Sequence, residues 1–173
     1  IRFYSRYEQY IYDVVGEERK GVRFSQALRK THSNGKIFSN PNDFRFGPLT
    51  DAMNEKDLRK FKEAYYEREY YADVEHAKYY DGRYSGFNVN SVFLNGTLEL
   101  RYLRGTLNER YIRSWVMFNL HIVDNFIRNN NIDQLLLYSN NDPTRKEFFN
   151  WLDEGAKESY RKLQKSYRYE VNK

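Results

Sequence analysis

The pattern of hydrophobic and polar positions predicts a mainly helical chain with a short antiparallel sheet near its middle. Apolar residues recur at helical spacing over Arg2–Val15, so this segment is predicted to form an amphipathic helix that ends at Gly16. A second helix is expected from about Glu55 to Val74, with the Glu17–Thr50 segment between them in loops. The apolar stripe predicted for the first helix consists of Phe3, Tyr7, Tyr10, Ile11 and Val14.

The sheet is predicted around Asn95-Gly96, a pair that is typical of a two-residue hairpin turn. The turn would join an extended segment, Tyr84–Phe93, to a strand, Thr97–Arg104. Residues two apart in a strand share a face, so Glu99 and Arg101 are expected side by side on one face. The opposite face would enter the core through Leu98, Leu100 and Tyr102.

A long helix is predicted over Glu109–Arg128, with Asn108 as its N-cap. The apolar arc is wide, so we expect this helix to be buried on more than one side. Its predicted stripe is Ile112, Trp115, Val116, Asn119, Ile122, Val123, Phe126 and Ile127, widened by Met117, Phe118 and Leu120. A last helix opens at Asp142-Pro143, and its charged tail, Lys157–Arg168, is expected to be solvated.

These elements predict an α+β fold, with an antiparallel hairpin flanked by several helices. The 173 residues are expected to form a single domain or a domain fragment. Residues 1–80 would be mainly helix and loop, residues 81–107 the strand hairpin, and residues 108–173 helical.

Composition narrows the function classes. There are no cysteines, which excludes disulfides and thiolate chemistry and favours the cytoplasm. No apolar run is long enough to cross a membrane. The net charge is +5, but charges of both signs are interleaved, so a nucleic-acid partner is not favoured. The 17 tyrosines indicate either a compositional bias or stacking on bases.

The candidate chemistry lies on the predicted Glu99 strand. A carboxylate beside a guanidinium could hold a metal ion and a phosphate, or it could be an exposed ion pair. Arg104, near the end of the same strand, could reach a phosphate or remain a solvated charge. No two histidines stand at metal-ligand spacing, so a zinc site is not expected, and His121 is interpreted as a core histidine.

Three motifs occur in order along this part of the chain: Arg83-Tyr84-Ser85-Gly86-Phe87-Asn88, Gly96-Thr97-Leu98-Glu99-Leu100-Arg101-Tyr102, and Gly105-Thr106-Leu107-Asn108 followed by Ile112 and Trp115. Together they resemble the amidoligase family, a branch of the carboxylate–amine ligases with the glutamine synthetase fold. The family usually begins with a strand that carries alternating glutamates, and this sequence has no such strand. The resemblance therefore implies the C-terminal half of the fold. The acidic strand was removed with a segment before Ile1, lies on another chain, or has been lost together with the chemistry.

The resemblance also implies a reaction and its cofactors. An ATP- and magnesium-dependent ligase activates a carboxylate, of a small molecule or a peptide, as an acyl phosphate that an amine then attacks. Glu99 would bind magnesium and Arg101 a phosphate oxygen, both as catalytic residues. Arg83 and Arg104 would face the nucleotide, and Asn88 would fix the substrate or a neighbouring strand. A non-catalytic interaction module on the same scaffold stays open as the alternative, so the sequence leaves open whether the chain is an enzyme.

Overall fold

The computed structural model describes residues 2–22, 25, 28, 57, 59–62, 81–129 and 143–172. The described part is mostly helical and contains one small antiparallel sheet, in agreement with the predicted α+β class. Its helices and strands are α1 (Arg2–Val15), β1 (Phe87–Asn88), α2 (Asn90–Asn95), β2 (Glu99–Leu100), α3 (Glu109–Asn129), α4 (Arg145–Trp151) and α5 (Glu154–Val171), with 3-10 helices at Glu17–Gly21 and Asp81–Tyr84. The predicted helix over Glu55–Val74 falls almost entirely outside the described residues.

The chain divides into two compact units. The first consists of Ile1–Ser5 and Lys20–Tyr102, and the second of Arg6–Arg19 and Leu103–Lys173. The predicted division into residues 1–80, 81–107 and 108–173 stays a prediction. None of the helices in the described ranges is both long and apolar enough to span a membrane.

The first unit is organised around stacked aromatic rings. The Tyr4 ring stacks on Phe87, with centroids 4.5 Å apart, and on Tyr102, with centroids 5.9 Å apart. All three side chains are buried, and Tyr102 packs against the backbone at Gly86. Leu100 is half-buried and Leu98 is exposed, so of the three predicted core positions on this strand only Tyr102 is fully buried.

The sheet is shorter than predicted, and its connection is a helix. Strand β1 pairs antiparallel with β2, with Phe87 opposite Leu100 and Asn88 opposite Glu99. The predicted two-residue hairpin turn at Asn95-Gly96 is wrong, because α2 occupies most of the connection. Gly96 is the left-handed residue that ends α2, and the amide of Thr97 reaches back to the Ser91 carbonyl. A glycine at positive φ suits a helix end as well as a hairpin turn, so the local signal was ambiguous.

The second unit is also built on aromatic residues. Helix α3 packs against α5. The rings of Phe118 on α3 and Tyr160 on α5 are in contact, with their centroids 5.7 Å apart. Two hydroxyl groups tie α1 to these helices: Tyr111 donates to the Val14 carbonyl at 2.7 Å and Tyr160 donates to the Tyr10 carbonyl at 2.8 Å. Two residues of the predicted α1 stripe, Tyr7 and Tyr10, also pack on Phe148 of α4, with ring centroids 5.5 Å and 4.9 Å apart.

The span of α3 is as predicted, but its buried face differs from the predicted stripe. The buried residues include Tyr111, Ser114, Trp115, Phe118, Asn119 and Ile122. Four members of the predicted stripe are exposed instead, namely Ile112, Val116, Val123 and Ile127, as are Met117 and Leu120. The helix is thus buried on one side among the described residues, because its large aromatic side chains remove the most apolar area from water when they face inward.

The C-terminal region contains two helices where one was predicted. Thr144 caps α4 through a reciprocal capping box with Glu147, and the Asp153 carboxylate caps α5 by accepting from the Ala156 amide at 2.6 Å. The expectation of a solvated tail over Lys157–Arg168 is wrong for one face of α5. Tyr160 and Leu163 on that face are fully buried.

Candidate functional site

The β1–β2 register places an amide opposite a carboxylate. Because Asn88 pairs with Glu99 across the sheet, their side chains lie on the same face. The Asn88 amide nitrogen donates to Glu99 Oε2 at 2.6 Å, and its amide oxygen accepts from the Asn90 backbone at 3.1 Å. Asn88 is buried, so both ends of its amide are satisfied within the protein.

Glu99 and Arg101 form the side-by-side pair that the strand pattern predicts. Arg101 donates from Nε to Glu99 Oε1 at 2.7 Å and from Nη2 to Glu99 Oε2 at 2.8 Å, a two-point pairing between planar groups. Arg101 also donates from Nη1 to the Arg83 carbonyl at 2.6 Å. The side chains of Glu99 and Arg101 are 42% and 23% exposed, so the pair is half-buried at the surface of the first unit.

Ser91 completes this cluster, although no pattern in the sequence pointed to it. Its Oγ donates to Glu99 Oε2 at 3.0 Å and accepts from the Asn88 amide at 3.0 Å. The residue was expected in an extended segment, where it would alternate in side from Asn88. In the structure it follows Asn88 by three residues at the start of α2, and that helical offset returns its side chain to the same place. The offset would have pointed to Ser91 only if the helix had been predicted.

The Glu99 carboxylate accepts four hydrogen bonds, two from Arg101 and one each from Asn88 and Ser91. These donors hold the pKa of Glu99 below its usual value, chiefly through the hydrogen bond from Arg101, and they outweigh the opposing effect of partial burial. Glu99 is therefore ionised at neutral pH and acts as the fixed counter-ion of Arg101.

Arg83 contributes a second guanidinium to the first unit. Its Nη2 donates to the Tyr84 hydroxyl at 2.6 Å, and its guanidinium carbon lies 4.7 Å from the centroid of the Tyr84 ring. Its Nε is buried and has no hydrogen-bond partner among the described residues. A buried donor of this kind without a partner is uncommon in folded proteins.

Arg104, the remaining candidate, belongs to the second unit. Its Nη1 lies 3.6 Å from Glu18 Oε1 in a partly exposed ion pair. Its predicted contact with a phosphate stays a prediction.

The second unit contains a groove of about 1320 Å³ between α3 and α5. Its lining includes His121 and Gly155, which lie close together, and none of the five residues that the sequence predicted for the site. His121 is half-buried, and its Nδ1 lies 3.8 Å from Asp153 Oδ1. The candidate chemistry therefore stands on the Glu99 cluster and not on this groove.

The sequence profile of one protein family, described as "putative amidoligase enzyme", matches residues 28–123, more than half of the chain. The chain belongs to this amidoligase family. The match includes all five predicted site residues as well as Ser91. No curated protein and no solved structure matches the chain. The glutamine synthetase-like fold stays a prediction for the chain, because no solved structure supports it.

Proposed function

We propose that this chain supplies part of the nucleotide site of an ATP-dependent carboxylate–amine ligase. The observation that carries the proposal is the arginine pair of the first unit. Arg101 is fixed by the ionised Glu99 and bound to the carbonyl of Arg83, whose own Nε is buried without a partner among the described residues. Membership of the amidoligase family supports amide-bond formation as the type of reaction.

Phosphoryl transfer requires positively charged groups at fixed positions around the phosphate. In the proposed reaction a carboxylate oxygen of a small molecule or a peptide attacks the γ-phosphorus of ATP, and ADP leaves. An amine then attacks the acyl carbon, loses a proton, and expels phosphate. The phosphoryl group in flight is stabilised by position and charge, and a guanidinium that is already oriented needs little reorganisation to provide both. Arg83 and Arg101 are the proposed phosphate contacts.

The contacts bear on two of the expected assignments. Asn88 was expected to fix the substrate or a neighbouring strand. It binds Glu99 on the neighbouring strand, so its proposed role is to position that carboxylate. Glu99 was expected to bind magnesium, yet in this conformation both of its oxygens accept hydrogen bonds.

The side chains around Glu99 do not form a magnesium site in this conformation. Magnesium prefers about six oxygen ligands at short distances, and the four donors around Glu99 leave its oxygens little capacity for a metal. Nowhere in the described ranges do three or more histidine, cysteine or acidic side chains form a group that could hold a metal. Magnesium binding stays a proposal that needs ligands from outside these ranges, and no step above depends on it.

An assay of ATP hydrolysis and ligation tests the proposal on the complete polypeptide. Glu99→Gln keeps the side-chain volume but removes the charge that orients Arg101, so we expect turnover to fall by about 10²-fold or more. A matched control is Asp124→Asn, which breaks the exposed pair that Arg128 forms with Asp124 at 2.9 Å on α3. The proposal is wrong if both variants retain wild-type turnover.

A second candidate function is a non-catalytic interaction module on the same scaffold. The observation that favours it is that both oxygens of Glu99 accept hydrogen bonds from protein donors, as expected of a carboxylate with a structural role. Isothermal titration with Mg-ATP separates the two. Binding that is lost in Arg83→Ala supports the ligase, and absence of binding to the complete polypeptide supports the module.

A further inference from the structure

Ser91 lies where strand β1 has ended and helix α2 begins. It is 7% exposed and follows Asn88 by three residues. Its hydroxyl is 3.0 Å from Glu99 Oε2 and 3.0 Å from the Asn88 amide nitrogen, so the three side chains form a closed triangle at one carboxylate oxygen.

Counting protons gives the direction of each hydrogen bond in this triangle. A serine hydroxyl has one proton to donate and can accept in addition. The Asn88 amide nitrogen can only donate, so it donates to both Ser91 Oγ and Glu99 Oε2. The single proton of Ser91 is then directed at Glu99, where it stabilises the ionised form of the carboxylate.

We infer that Ser91 is a positioning residue that holds the Glu99 carboxylate in the plane in which it pairs with Arg101 at two points. Arg101 uses Nε for Oε1 and Nη2 for Oε2, so a rotation of the carboxylate would break one of the two hydrogen bonds. Ser91 and Asn88 together hold Oε2 and oppose that rotation.

The effect extends along the cluster to the second arginine. Arg101 Nη1 donates to the Arg83 carbonyl at 2.6 Å, so a change in the orientation of Arg101 also changes its contact with Arg83. The consequence for nucleotide binding rests on the proposed function. The hydrogen-bond triangle itself does not rest on the proposed function. The experiment therefore measures the state of Glu99 and the binding of ATP separately.

The experiment compares three variants of the complete polypeptide. Ser91→Ala removes the hydroxyl, and Ser91→Thr retains it. Ser85→Ala is the matched control, because Ser85 is a buried serine of the same unit whose Oγ donates to the Phe87 carbonyl at 2.7 Å. The first readout is the pKa of Glu99, followed through the chemical shift of its carboxyl carbon by NMR. The second is the affinity for ATP.

The pKa of Glu99 is expected to rise in Ser91→Ala and to stay near the wild-type value in Ser91→Thr and Ser85→Ala. A loss of packing alone would not produce this pattern, since the control also removes a buried hydroxyl. ATP affinity is expected to fall by about tenfold in Ser91→Ala, as for the loss of one charge-assisted hydrogen bond. Ser91→Thr is expected to restore it.

An unchanged pKa of Glu99 in folded Ser91→Ala overturns the inference. If the pKa moves as expected while the complete wild-type polypeptide binds no ATP, the positioning role stands and the proposed function fails. Should Ser91→Ala not fold, Ser91→Cys replaces it, because a thiol of similar shape is a weak donor and the pKa of Glu99 should again rise. A wild-type pKa in that variant also overturns the inference.

Discussion

At the scale of single residues, Glu99 differs from an ordinary surface carboxylate in the number of its donors. An exposed ion pair on a strand contributes little to stability, since water screens it and two mobile side chains must be ordered. Glu99 instead accepts hydrogen bonds from the Arg101 cation and from two neutral donors, Asn88 and Ser91. Both neutral residues are buried. Its ionisation is therefore coupled to the folding of the first unit.

This coupling predicts a pH dependence. The pKa of Glu99 is lower in the folded chain than its ordinary value of 4.5 in the unfolded chain. Its contribution to stability is therefore present above pH 4.5 and is lost as pH falls through the folded-state value. We expect Glu99→Gln to destabilise the chain more at pH 6 than at pH 3, in denaturant titrations at both values. An equal loss at the two pH values would contradict the coupling.

Gly86 is the second residue whose identity has a direct structural reason. A Cβ atom there would lie 2.3 Å from Cε1 of Tyr102, whose ring is fully buried and stacked on Tyr4. Nearby, the Gly86 carbonyl accepts from the Arg101 amide at 2.6 Å, so the backbone cannot retreat without loss.

We therefore expect Gly86→Ala to lower the free energy of unfolding by about 1–3 kcal/mol, the usual cost of overpacking. Gly105→Ala is the control, since no heavy atom lies within 4 Å of a Cβ at that position. Denaturant titration of both variants checks the prediction. Equal stability of the two variants would show that the Tyr102 ring can move aside.

At the scale of elements, α3 contains two stripes of apolar residues with the same spacing. Tyr111, Trp115, Phe118 and Ile122 repeat at intervals of 4, 3 and 4 residues, and so do Val116, Leu120, Val123 and Ile127. Periodicity favours a helix in either case, but it does not say which stripe is buried. The structure buries the first, which is rich in aromatic side chains, and exposes the second.

Substitutions at two nearby positions on α3 distinguish the buried stripe from the exposed one. Phe118 is fully buried, so we expect Phe118→Ala to cost about 3–5 kcal/mol of stability. Leu120 is 56% exposed, so Leu120→Ala should change stability by about 0.5 kcal/mol or less. Thermal and denaturant unfolding of the two variants provide the measurement. A large loss for Leu120→Ala would show that the second stripe is covered in solution.

At the scale of the whole molecule, tyrosine has a structural use in both units. Tyr4 and Tyr102 belong to the stacked core of the first unit, and Tyr111 and Tyr160 hydrogen-bond to α1 within the second. These four of the 17 tyrosines therefore have structural contacts within the protein, whereas the sequence had indicated either a compositional bias or stacking on bases. A buried tyrosine provides apolar area and one hydrogen-bonding group that must find a partner.

Alkaline pH should therefore unfold the chain. Burial raises the pKa of Tyr4, Tyr111 and Tyr160 far above the ordinary value of 10.0. Their contribution to stability is complete below pH 10 and declines at higher pH, because the unfolded chain then releases protons that the folded chain keeps. We expect the ultraviolet signal of these tyrosinates to appear together with the loss of helical circular dichroism. Ionisation of all tyrosines before any loss of helix would contradict the burial.

The sequence by itself determined features that depend on neighbours along the chain. The span of α1, the N-cap of α3 at Asn108, and the shared face of Glu99 and Arg101 all follow from residues a few positions apart. The ordered motifs also pointed to the amidoligase family, which the profile match confirms. In each case the periodicity of a helix or strand, or a fixed order of motifs, was enough to decide.

Only the tertiary structure decided which of several locally equivalent choices was taken. Asn95-Gly96 could end a helix or turn a hairpin, and α3 could bury either of its stripes. Ser91 hydrogen-bonds to Glu99 only because a helix follows Asn88 and because the strand register places Glu99 opposite Asn88. These outcomes depend on contacts between segments distant in sequence, where the burial of area and the satisfaction of buried polar groups outweigh local preference.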